Sequence, residues 1–114
     1  MTGETQGLQV ASADQEAFAL CLALGTLEAI RSGAWPTEAG AWTLGRPIFR
    51  GKLEALGMPG EVLDVFRSVD ELSALEALAG NEAVEKRLRE WTSLLRARLA
   101  SLPERSWYAR WADG

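Results

Sequence analysis

The sequence predicts an all-α fold, a compact bundle of about five or six helices in which a long first and a long last helix enclose shorter ones. Three observations lead there. Alanine and leucine make up roughly a third of the 114 residues, and both are strong helix formers. Apolar residues recur at helical spacing in several stretches, and no segment shows the strict alternation of a half-buried strand. Glycines and prolines gather in the gaps between those stretches, where helices stop.

The length fits one domain. Hydrophobic residues at 47% and charged ones at 25% argue against wholesale disorder. Residues 1–11 are small and polar and read as a flexible arm, 12–103 as a single helical domain, and 104–114 as an aromatic, basic tail. The first helix opens at Ser12, with Gln15 placed to complete a capping box, and runs to about Ser32 before Gly33. Its middle, Phe18 to Leu24, is apolar nearly all round, the pattern of a helix contacted from several sides. Too short to span a bilayer, it reads as a core helix, and no membrane role is expected.

Between Ala34 and Gly60 the breakers leave room for short helices only: one near Thr37 to Leu44 with Thr37 as N-cap, and one from Pro47 to Leu56 stopped by Gly57. On the latter, Phe49, Leu53 and Leu56 define one apolar stripe. Pro59 starts another helix with Val62, Val65, Phe66 and Val69 on one face. Asp70 either interrupts it or caps a new helix, so residues 61–79 form one helix or two, ended by Gly80. Asn81 caps the last helix, where Val84, Leu88, Trp91, Leu95, Leu99 and Leu102 give the strongest period in the chain, and Pro103 ends it after about 21 residues.

The chain has no histidine, which removes the commonest general base and metal ligand and excludes a histidine-based hydrolytic triad. The lone cysteine, Cys21, lies in the most apolar stretch and reads as a small hydrophobe rather than a nucleophile. There is no internal disulfide, no metal cluster and no glycine-rich phosphate loop, so no cofactor is expected. A reducing, cytoplasmic setting fits these features. The sequence therefore points away from an enzyme, with a small enzyme using only Asp and Glu as a secondary alternative. Asp64, Asp70 and Glu71 fall within two turns, but Arg67 stands three residues after Asp64 and four before Glu71, where such pairs form surface bridges.

Charge and aromatic residues carry more information. The net charge is −4, yet residues 1–85 hold 5 basic and 13 acidic side chains, net −8, and residues 86–114 hold 7 and 3, net +4. Glu82 and Glu85 face Lys86 and Arg89 at i,i+4. Arg96 and Arg98 find no such neighbour; they meet solvent, an acidic face of the same domain such as the helix at 61–76, or something outside. An acidic domain is a poor phosphate reader, so nucleic acid is not the expected partner. Trp91 belongs to the core stripe, whereas Trp35, Trp42, Trp107, Tyr108 and Trp111 lie in the broken middle and the tail. Some would plug the core; exposed ones would serve as interface anchors.

The apolar helix Leu20-Cys21-Leu22-Ala23-Leu24-Gly25-Thr26-Leu27-Glu28-Ala29-Ile30, the broken segment with Ala41-Trp42, then Asp70-Glu71-Leu72 and the closing amphipathic helix resemble a bacterial family of small helical proteins of unknown function. The resemblance covers about residues 16–102, leaves Ser106 to Trp111 outside, and implies an all-α fold, a bacterial source and no catalytic residues. By analogy of kind the chain is similar to immunity proteins that neutralise a toxin. The expected function is a non-enzymatic protein-binding module, an immunity or inhibitor protein that occludes its partner. Glu61, Asp64, Glu71 and Glu76 would steer it to a basic surface such as that of a toxin, Trp35, Trp42, Trp107, Tyr108 and Trp111 would anchor it, and Arg96 and Arg98 are further contact candidates. The alternative is a self-associating structural or regulatory protein.

Overall fold

The computed structural model describes residues 14–102, without the side chains of Ile48 and Phe49. The expected arm at 1–11, the Ser12 cap, the Pro103 stop, the tail at 104–114 and the Phe49 member of its stripe lie outside the described residues. The fold is all-α: α1 Gln15–Arg31, α2 Ala39–Trp42, α3 Pro47–Ala55, α4 Gly60–Ser68, a 3-10 turn Val69–Glu71, α5 Leu72–Ala79 and α6 Asn81–Ser101. The 3-10 turn settles the open choice at 61–79 in favour of two helices.

The long pair α1 and α6 forms the spine, and their contact is the most extensive among the described elements. On α1 the buried residues Leu20, Ala23, Leu27 and Ile30 follow the helical repeat, with Ala19 beside them in the core. On α6 Val84, Leu88, Trp91 and Leu95 answer them, the stripe expected from the period. The helices run antiparallel, since Arg31 pairs with Glu85 and Glu16 with Arg98 at opposite ends. Two threonines lie in this core, and each satisfies its hydroxyl on its own helix: Thr26 donates to the Leu22 carbonyl at 2.9 Å and Thr92 to that of Arg89 at 3.2 Å.

The middle of α1, expected to be contacted from several sides, is left open on one. Leu22 is exposed and Cys21 only half-buried, because the short helices pack on one side of the spine and leave the other to solvent. What apolar surroundings Cys21 has still push its thiol pKa up, through desolvation of the thiolate.

The broken middle contributes single plugs, Leu44, Leu53 and Met58, to the core, and α4 adds Val62, Val65 and Phe66. Arg46 is extended at ψ 134°, the conformation a following proline imposes, and Pro47 starts α3. Leu102, before Pro103, is likewise extended at ψ 133°. Gly40 marks the closest approach in the middle: a Cβ there would lie 2.5 Å from Cγ2 of the buried Val69. Three expected caps differ. Thr37 does not cap α2, which begins later at Ala39; Pro59 precedes α4 as its cap residue; and Gly80, at φ 83° and ψ −179°, takes the cap position of α6 in place of Asn81.

Arg96 and Arg98 find their partners on α1 and not on the acidic stretch at 61–76: Arg96 Nη2 lies 3.5 Å from Glu28 Oε1, and Arg98 grips Glu16 with two nitrogens, its Nη2 donating at 3.1 Å. The Glu16 hydrogen bonds hold the Arg98 pKa above its ordinary value. A double-mutant cycle of Glu16→Gln and Arg98→Ala, read by urea denaturation, is expected to return a coupling of about 1 kcal/mol, the upper end for a solvent-screened pair and consistent with the two-pronged geometry. The single-contact pair Arg96 with Glu28 should return about zero by the same measure.

Candidate functional site

A hollow of about 650 Å³ opens where the end of α1, the loop at 33–37, α5 and the start of α6 meet. Ile30, Val84 and Leu88 form its apolar floor, and Arg31, Trp35, Pro36, Glu76, Asn81 and Glu85 its walls and rim. Local chemistry places each wall. Gly33 turns the chain out of α1 at φ 83°, and the Trp35 amide donates back to the Ala29 carbonyl at 3.1 Å. The indole stays 46% exposed. Thr37, freed from capping, shares a 3.1 Å hydrogen bond with the Ser73 hydroxyl and donates to Glu76 at 3.3 Å, tying the loop to α5.

Charges in the hollow are unevenly matched. Glu85 accepts from Arg31 Nε at 2.8 Å and lies 3.9 Å from Arg89, while Arg31 also bridges Glu28 at 3.2 Å. These carboxylates, Glu85 first, raise the Arg31 pKa. Glu76 receives only the neutral Thr37 hydroxyl; among the described residues no cation pairs with it.

A second, smaller hollow of about 290 Å³ lies on another face of α5, lined by Glu71, Leu72, Ala74, Leu75, Leu78, Arg87 and Trp91. Leu78 is 88% exposed. Six of the eight residues of α5 are Ala or Leu, yet only Leu72 is buried.

The other expected site residues are scattered. Asp64 pairs with Arg67 at 3.2 Å as expected, but the second partner of Arg67 is Glu54 at 3.4 Å rather than Glu71. Glu61 stands exposed in the first turn of α4. Trp42 is 69% exposed with the Arg46 guanidinium 5.2 Å above its ring. Arg96 and Arg98 are engaged by α1. Trp107, Tyr108 and Trp111 lie outside the described residues. The structure thus unites Trp35 with Glu76 and puts Glu71 in the neighbouring hollow. Sequence reasoning missed Arg31, Thr37, Leu78 and Glu85. For Leu78 a signal existed: a helix of two turns that is three-quarters Ala and Leu has more apolar surface than one contact face can cover.

Among the described residues no cluster of acidic, cysteine or histidine side chains is arranged to hold a metal ion, and no helix is long and apolar enough to cross a membrane. No family model matches the chain, and no curated protein or solved structure matches it.

Proposed function

We propose that the chain is a non-enzymatic protein-binding module of the immunity or inhibitor type, which silences a toxin by covering a basic part of its surface. The observation that carries this reading is α5, an apolar helix with Leu78 almost fully exposed, set between two hollows that hold Trp35, Glu71 and Glu76. Exposed apolar surface rimmed by polar groups is the mark of a docking face, and buried aromatic anchors within a charged rim give affinity and steering respectively.

Two other readings have less support. Self-association through charge draws on the cations of α6, and among the described residues four of the five, Arg87, Arg89, Arg96 and Arg98, are engaged within the chain, which leaves Lys86. An enzyme working with carboxylates alone would use Glu76 and Glu85, which do share a hollow. Glu76, however, is exposed and Glu85 is held by Arg31, an arrangement suited to gripping a cation and not to passing a proton.

A photo-crosslinking residue at Ala77, in cells that make the protein, tests the module reading. One adduct of fixed mass is expected there and none from Lys52, on the distant α3. Leu78→Asp should abolish the adduct while changing stability by no more than about 0.5 kcal/mol, as for an exposed position. The purified partner should lose its activity when mixed with the wild-type chain and keep it with Leu78→Asp. An adduct indifferent to Leu78→Asp, or a partner whose activity the wild-type chain leaves intact, overturns the reading.

A further inference from the structure

We infer that the hollow between Trp35 and Glu76 is a receptor for an arginine side chain presented by the partner. The inference deepens the binding-module reading and rests on it for the source of the arginine, while its own test needs no partner.

The chain shows how it treats its tryptophans. Three lie among the described residues, and two of them are covered by a guanidinium: Arg46 lies 5.2 Å from the Trp42 ring centre and Arg87 5.7 Å from that of Trp91. Trp35 is the third, and among the described residues no cation lies over it. Its indole is half-exposed at the mouth of a hollow large enough for a long side chain.

The charge balance points the same way. Of the three ionised side chains that line the hollow, Arg31 and Glu85 neutralise each other at 2.8 Å. That leaves Glu76, which is oriented by the Thr37 hydroxyl at 3.3 Å and has no cationic partner among the described residues. The hollow therefore carries one unmatched negative charge beside an open aromatic face. An amphipathic cation fits this: its apolar stem lies over Ile30, Val84 and Leu88, its head reaches Glu76, and Arg31 excludes the head from the Glu85 side.

Arginine fits better than lysine. A planar guanidinium stacks on an indole and at the same time offers two parallel N–H groups to a carboxylate, whereas an ammonium is a compact, strongly hydrated point charge. A cation over an aromatic ring gains the more as water is excluded from it.

The test uses N-acetyl-arginine amide as probe and the full chain labelled with 15N. Saturable shifts are expected at the Trp35 indole N–H and at the amides of Thr37, Glu76 and Asn81. The citrulline analogue, equal in shape but uncharged, should bind at least tenfold more weakly, and the lysine analogue several-fold more weakly. Glu76→Gln should weaken the arginine probe at least tenfold; Glu71→Gln, in the other hollow, should leave it unchanged. Both positions are exposed, and retention of the wild-type spectrum elsewhere shows that the variants fold. Citrulline or lysine binding as tightly as arginine, an unaffected Glu76→Gln, or shifts centred on Leu78 would each overturn the assignment. Such a failure leaves the Ala77 adduct untouched, so it is distinguishable from failure of the module reading.

Discussion

Phe66→Ala is expected to lower stability by about 3 to 5 kcal/mol, the range for deleting a fully buried ring that leaves a cavity behind. Phe66 has no exposed surface and belongs to the same cluster as Leu20 and Leu27 of α1 and Leu88 and Leu95 of α6, so it plugs the side of the spine that the short helices cover. A domain of this size has a total stability of about 5 to 15 kcal/mol, and each kcal/mol moves its melting point by roughly 4 to 8 °C. Thermal melting of the variant should thus fall by at least about 12 °C, whereas Phe66→Leu, which retains most of the volume, should lose less than about 1.5 kcal/mol. A loss below that value for Phe66→Ala would mean that the core does not close around the ring.

The second large effect is at Gly80. Its φ of 83° with ψ near 180° is a region that essentially only glycine occupies, and forcing a side chain into it costs of order 1 to 3 kcal/mol. Open space does not help: no atom lies within 4 Å of where a Cβ would sit, so the whole effect is backbone strain. Gly25 provides the contrast. It too has nothing within 4 Å, but it lies inside α1, where alanine should stabilise by about 0.5 to 1 kcal/mol. Urea denaturation of the two variants should therefore move in opposite directions; a fall of equal size in both would refute the assignment of strain to Gly80. Because Gly80 sets the turn from α5 into α6, Gly80→Ala should also disturb the Trp35 hollow, whose walls come from both helices.

Much of the fold was legible in the sequence because it is written in local terms. The Val84 to Leu95 period, the Val62 to Val69 period and the stops at Gly33, Gly57 and Gly80 all depend on neighbours within a few residues. The partners of Arg96 and Arg98 were not legible, since i,i+4 arithmetic sees only one helix, and the answering carboxylates lie 68 and 82 residues away. Thr37 shows the same limit. Its residue type fits an N-cap, but its hydroxyl has better partners 36 and 39 residues on, in Ser73 and Glu76. The candidate site was visible as residue types, Trp35 and Glu76 among them, but not as a place, because only the loop after α1 brings those two together. The acidic residues Glu61, Asp64, Glu71 and Glu76 are expected from the sequence to steer as one group; the 3-10 turn at 69–71 holds Glu71 and separates Glu61 and Asp64 on α4 from Glu76 on α5.

The antiparallel pairing of α1 with α6 sets an order of events during synthesis. The ion pair that joins their far ends spans 82 residues, and the apolar stripe of α1 finds its main cover only on the last described helix. While the ribosome is still making α2 to α5, Leu20, Leu27 and Ile30 wait without α6, and burial of the spine is completed only when Val84 to Leu95 have emerged. Contacts so distant in sequence slow closure, and an apolar face left waiting is a substrate for chaperones. A nascent chain stalled within α6 should accordingly remain bound to them, and one released after Ser101 should not.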